Sequence, residues 1–205
     1  MKRKQGFAGW ALVGWSTLVV LLLVAAVFAL LGAGEAGLRS GIRVTARTSV
    51  VLFLAAFVAS ACAALMPSPM SKWLLRNRRA LGVSFAVSMG VHGALIVALF
   101  QTYRESFVAS VKPSTVFGGG VGFVLIALMA ATSFDRTAAL LGRRAWKVLH
   151  TVGMYYLWIV FAFSYAGRVH ALPYALLFGV LLLALGLRLV ATVRRRRRLT
   201  AGGRG

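Results

Sequence analysis

Hydrophobic positions along this chain do not alternate as they would on a half-buried strand or an amphipathic surface helix. They run together in six long apolar stretches, at roughly 7–33, 48–66, 80–101, 115–134, 146–166 and 171–192, each bounded by charge or by Pro, Gly and Ser. A helix needs about 20 residues to cross ~30 Å of hydrocarbon, so each stretch is long enough to be a transmembrane span. The expected fold is an all-α integral membrane bundle of six helices, forming a single domain over residues 1–205 with a basic tail at 193–205. Composition agrees: 60% of the 205 residues are hydrophobic and the mean hydropathy is +0.85. The opening "MKRK" resembles the charged start of a signal peptide, but the apolar run behind it is too long for the signal's short core, so it is read as the first span.

Charge gives the bundle a direction. The net charge of +21 is unevenly placed. Lys2, Arg3 and Lys4, then Lys72, Arg76, Arg78 and Arg79, then Arg136, Arg143, Arg144 and Lys147, and finally Arg188, Arg194 to Arg198 and Arg204 fall on one side of an alternating six-span chain. Arg39, Arg43, Arg47, Arg104, Lys112 and Arg168 fall on the other, a split of 18 to 6 among the 24 cations. The positive-inside bias then predicts both termini in the cytoplasm and a multi-pass protein of the inner (plasma) membrane. The run "RRRRR" is read as a membrane-surface anchor and not as a nucleic-acid arm.

Several chemistries are excluded by residues the chain lacks. Its three acids, Glu35, Glu105 and Asp135, all lie outside the apolar stretches, which leaves no carboxylate for a midplane proton relay, a paired-carboxylate site or a hydrolytic metal site. No glycine-rich nucleotide loop follows any span. Cys62 is alone and forms no internal disulfide. The three histidines remain. His92 lies inside the third span in "SMGVHGAL", His150 near the cytoplasmic end of the fifth, and His170 in the outer loop before the sixth. An ionisable residue within a span is a functional candidate, although a histidine can also simply bond Ser or Thr across a helix pair. Gly90 and Gly93 flank His92, and Gly153 lies one turn beyond His150, leaving room for a flat ligand. Neutral imidazole is a good axial ligand for haem iron, and an apolar bundle supplies a dry cavity. In "FGGGVGF" the pair Gly118 and Gly122 is expected mainly to serve close helix packing.

The segment "RNRRALGVSFAVSMGVH" followed by "ATSFDRTAALLGRRAWKVLH" resembles the ferric-reductase-like transmembrane haem proteins, most nearly their six-helix MsrQ type. The matching positions are Arg79, Leu81, Gly82 and His92, then Thr132, Ser133, Leu141, Gly142, Trp146, Leu149 and His150, with "ARTS" at 46–49 a weaker echo, and the core of the likeness spans about 46–166. The resemblance implies a haem b held by His92 and His150 as axial iron ligands. It also implies a membrane electron-transfer subunit, supplied by a separate flavin reductase or by quinol. A periplasmic reductase subunit or ferric iron would be the acceptor, with a homodimer as an option. The cytoplasmic arginines would meet the haem propionates. A cofactor-free membrane scaffold, its histidines structural, is the alternative.

The chain also departs from that family pattern. Where MsrQ-like chains carry a further histidine thirteen residues beyond the one matching His150, this chain has Phe163. Depth is a second tension. His92 is about 18 Å above Ala80 at the cytoplasmic edge and His150 about 5 Å above Lys147, a mismatch for two ligands of one upright haem. Phe163 lies closer to the depth of His92, so a histidine there is expected to pair with it better. Met89 and Met154, one turn from the two histidines, are the reserve ligands.

Overall fold

The computed structural model describes residues 8–202; Lys2, Arg3, Lys4 and Arg204 lie outside them. Eight helices follow one another: α1 (Trp10–Leu31), α2 (Glu35–Leu65), α3 (Pro69–Thr102), α4 (Arg104–Ser110), α5 (Pro113–Ala131), α6 (Asp135–Leu141), α7 (Arg143–Ala166) and α8 (Leu172–Gly202). Six of them, α1, α2, α3, α5, α7 and α8, are long and apolar enough to cross a membrane, and no strand occurs among the described residues. The chain is therefore an all-α, multi-pass membrane bundle. The short helices α4 and α6 lie in the connections after α3 and α5.

Three helices are longer than their apolar stretches. α2 begins at Glu35 rather than near 48, α3 at Pro69 rather than near 80, and α8 runs on through the arginine run to Gly202 where a tail was expected. Charge marks where lipid ends, and capping marks where a helix ends. Arg, Lys, Ala and Leu are all good helix formers, so nothing interrupts α3 between its charged first turns and its apolar body. Its start is set by chemistry at the turn: the Ser68 hydroxyl accepts from the Ser71 amide, the Ser71 hydroxyl meets the Ser68 amide, and Pro69 occupies the first turn.

α2 and α3 form a long antiparallel hairpin with α1 laid along both. α8 packs on α2, α7 on α8, α5 on α7, and α5 returns to α3, so α2, α3, α5, α7 and α8 form a closed ring with α1 outside it. The interior is aromatic and aliphatic. Phe57 and Leu181 are fully buried, and around them lie Phe53, Phe85, Phe161, Met129, Met154 and Leu157. The pair Gly118 and Gly122 serves the α5–α7 seam as expected: the Tyr156 hydroxyl donates to the Gly118 carbonyl at 3.0 Å, and a Cβ on Gly122 would touch Leu157.

A row of side-chain contacts fixes the register of α1, α2 and α3. Asn77 accepts from the Gly9 amide (2.9 Å), and the Ser16 hydroxyl donates to Ser84 (2.7 Å), both pairs 68 residues apart, as two parallel helices in constant register require. On the antiparallel side Ser49 meets Ser88 at 2.8 Å and Thr45 meets His92 at 3.0 Å, one turn further along each helix. Positions 77, 84, 88 and 92 share one face of α3.

The tight α1–α2 turn depends on Gly37, where a Cβ would run into the Gly32 carbonyl. A Gly37→Ala substitution is expected to destabilise the protein by about 1–3 kcal/mol. Gly120→Ala, facing open space in mid-helix, should be neutral or slightly stabilising. Thermal unfolding of the detergent-solubilised variants checks both, and equal midpoints would mean the turn relaxes freely.

Candidate functional site

His92 is fixed by the α2–α3 hairpin. Its Nδ1 lies 3.0 Å from the Thr45 hydroxyl and 3.1 Å from the Ile42 carbonyl. A carbonyl only accepts, and Thr45 gives its own proton to the Gly41 carbonyl at 2.8 Å. Both partners therefore accept from a protonated Nδ1, which leaves the lone pair on Nε2. The hydrogen bonds of this ring fall on Nδ1, and Nε2 is not fully enclosed, since no fully buried side-chain nitrogen or oxygen among the described residues lacks a partner. An Nδ1–H held by a backbone carbonyl is how proteins orient a histidine for a metal. Phe123 of α5 stacks over the ring with centroids 6.4 Å apart and also lies against Gly93. The space expected beside that glycine for a flat ligand is thus filled by a phenylalanine, while Gly90 faces open space.

His150 has a threonine partner too, but on the opposite nitrogen. Its Nε2 lies 3.2 Å from the Thr132 hydroxyl, which donates to the Leu128 carbonyl at 2.7 Å. The threonine oxygen therefore accepts from Nε2–H, and a role for that nitrogen as an iron ligand would require the bond to break. Trp146 stacks on the imidazole at 4.3 Å, and its indole N–H donates to the Thr132 carbonyl at 2.9 Å. These groups clasp the start of α7 to the end of α5. Gly153, one turn on, makes room for Met129, whose sulfur lies 2.7 Å from the position a Cβ would take.

The structure does not bring His92 and His150 together. The former stacks on Phe123 and the latter bonds Thr132, nine residues or about 13 Å further along α5. Within the ring of helices, Phe53 stands 5.5 Å from Phe85 and 5.2 Å from Phe161, and the last two are 6.1 Å apart, centroid to centroid. These three rings occupy the middle of the bundle between α3 and α7. The two histidines thus lie apart along the bundle, each with its own partners.

The other expected residues also have definite places. Phe163 is 78% exposed on the outside of α7, so a histidine there would face lipid and not His92, contrary to the expectation from depth alone. Depth counts turns along a helix, whereas partnership also needs the right face. Met154 is buried, with its sulfur 3.3 Å from a nitrogen of Arg78, and Met89 packs against the aromatic core. His170 is exposed in the α7–α8 turn. No group of three or more His, Cys, Asp or Glu side chains gathers among the described residues. Thr45 as the partner of His92 was not legible in the sequence, although the buried Thr and Ser on one face of α2, four residues apart, were a usable signal. Comparison with protein-family models, characterised proteins and solved structures gives no match for this chain.

The clasp predicts measurable coupling. In a double-mutant cycle with Thr132→Val and His150→Ala, the interaction energy is expected to be about 0.5–1.5 kcal/mol. A value near zero, read from unfolding midpoints in detergent, would show that the two side chains do not bond.

Proposed function

We propose that this chain is a membrane electron-transfer subunit of the ferric-reductase-like kind, holding a b-type haem through His92. One observation carries the reading: the Ile42 carbonyl and Thr45 hold Nδ1–H, leaving an oriented lone pair on Nε2. Bound haem supplies one-electron chemistry. The chain's own part is to hold the imidazole in a single tautomer and to surround it with apolar walls. The second axial group then comes from outside the pair His92 and His150, and a second copy of the chain is one source for it. Electrons come from a separate flavin reductase or from quinol and leave for a periplasmic reductase subunit or ferric iron. The resemblance of residues 79–92 and 132–150 to the MsrQ type supports this assignment of partners.

A second reading has its own observation. The Phe53, Phe85 and Phe161 cluster fills the middle of the bundle, and Thr132 satisfies His150 without a cofactor, as in a scaffold whose histidines only pack helices. A spectrum separates the two. Protein purified from haem-replete cells should show a Soret band that shifts on dithionite. The band should be lost in His92→Ala and retained in His150→Ala and His170→Ala. A colourless preparation supports the scaffold, and loss of the band in His150→Ala but not in His92→Ala overturns the assignment of the ligand.

The orientation proposed is with both termini in the cytoplasm of the inner membrane. It rests on the cations, which gather where α3 and α7 begin and α8 ends. Reporter fusions after Gly205 and in the turn at 66–68 should both read cytoplasmic, and a periplasmic signal from either one rejects this orientation.

A further inference from the structure

Two arginines turn inward from the cation-rich end of the bundle and converge. Arg78 of α3 places Nη2 3.3 Å from the sulfur of Met154 on α7. Arg188 of α8 donates through Nη1 to the Phe57 carbonyl of α2 at 3.3 Å, with its guanidinium 4.3 Å from the centre of the Phe57 ring and 5.0 Å from that of Tyr155. Met154 and Tyr155 are neighbours on α7, and the Tyr155 ring packs edge-on against Phe57 with centroids 5.9 Å apart, so the partners of the two guanidiniums are contiguous. Both side chains are half-buried. Phe57 lies eight residues before the end of α2, Tyr155 eight beyond Lys147, Arg188 six before Arg194 and Arg78 nine beyond the start of α3, so the cluster sits about 9–14 Å inside the helix ends, at the level of Ala80 where the apolar part of α3 begins.

No acidic side chain among the described residues neutralises this pair. There are only three acids. Glu35 is bound to Arg39 and Ser106 at the opposite end, Glu105 is in α4 at that same end, and Asp135 pairs with Arg79 while 95% exposed. The partners Arg78 and Arg188 do have are a thioether, a carbonyl and two ring faces, all neutral. Ring faces and a carbonyl offset part of the desolvation of one guanidinium, but two half-buried like charges side by side favour a counter-charge. Each guanidinium has five N–H donors, and one from each is engaged here, so most of both forks remain to be used. Paired arginine forks match the oxygens of a phosphate, and basic sites between helices on the cytoplasmic side are where anionic headgroups bind.

We propose that Arg78 and Arg188 together form a phosphate-binding site between α2, α3, α7 and α8. The phosphate comes either from the headgroup of an anionic phospholipid entering sideways or from a soluble phosphate entering from the aqueous end. The site is independent of any haem at His92, which lies fourteen residues or about 21 Å further along α3.

The test uses the full chain in detergent, titrated with short-chain phosphatidylglycerol, short-chain phosphatidylcholine or inorganic phosphate, with binding read from the unfolding midpoint. The variants are Arg78→Gln, Arg188→Gln and, as a control of equal charge loss on the exposed end of α8, Arg195→Gln. Phosphatidylglycerol is expected to bind at least tenfold more tightly than phosphatidylcholine, with that preference lost in Arg188→Gln and kept within twofold in Arg195→Gln. The same dependence seen with inorganic phosphate instead supports the site and assigns the soluble source. Should a glutamine variant fail to fold, Arg188→Lys replaces it, keeping the charge but not the fork, and its expected loss is severalfold. Equal weakening by Arg188→Gln and Arg195→Gln, or no response of the native protein to either anion, overturns the proposal.

Discussion

A hydroxyl or an amide within hydrocarbon has no water to bond, and the α2–α3 hairpin is built around that constraint. Its buried polar side chains, Thr45, Ser49, Ser71, Asn77, Ser84 and Ser88, all have partners; Ser71 caps α3 locally, and Asn77, Ser84 and Ser88 reach the start of α1, α1 itself and α2 in turn. Interhelical bonds of this kind are worth only about 0.6 kcal/mol each on average in membranes. Their larger effect is on alternatives. A one-residue slip of α3 against α2 would bury Ser88 and His92 against apolar side chains while stranding Ser49 and Thr45. Dispersion between leucines tolerates many registers; a row of hydroxyls at fixed intervals tolerates one. The other helices are placed by this hairpin: α1 lies along it, α8 joins its α2 side, and α5 its α3 side.

How much of this the sequence disclosed depends on what a residue's neighbours reveal. Hydropathy gave the number of spans, because solvation in lipid acts on each stretch separately. It placed the starts of α2 and α3 about a dozen residues late because it measures where apolar character begins, whereas Gly34, Ser68 and Pro69 decide where the helices begin. The glycine pair in α5 was legible as packing for the same local reason. The sites were legible only in part. That His92 is unusual follows from its place in an apolar run; that Thr45 and the Ile42 carbonyl hold it depends on the facing of two helices, which linear spacing does not encode. Phe163 illustrates the difference, since its depth suggested one partner and its face excludes it.

Charge shows a similar division. The sequence segregates cations to one end, and the structure gathers Arg76, Arg143, Arg144 and Arg194 there as exposed groups. Arg78 and Arg188 were counted with them, yet they turn into the bundle toward Met154, Phe57 and Tyr155. Counting cannot tell a cation facing headgroups from one facing helices. The scarcity of acids makes the distinction consequential: a chain richer in carboxylates would neutralise such a pair internally, and this one has its nearby acid, Asp135, committed to Arg79.

His92 and His150 show why residue type alone does not assign a role. Each has a threonine within 3.2 Å, and in both cases that threonine gives its own proton to a carbonyl one turn back. The threonine therefore accepts from both rings, but from Nδ1 in His92 and from Nε2 in His150. The first arrangement leaves free the nitrogen at the far tip of the side chain. The second leaves free the nitrogen beside the Cβ, close to the helix that bears it, where approach by a bulky planar ligand is obstructed. Spacing along the chain treats the two histidines as equivalent, whereas their hydrogen bonds engage the inner nitrogen of one ring and the tip nitrogen of the other.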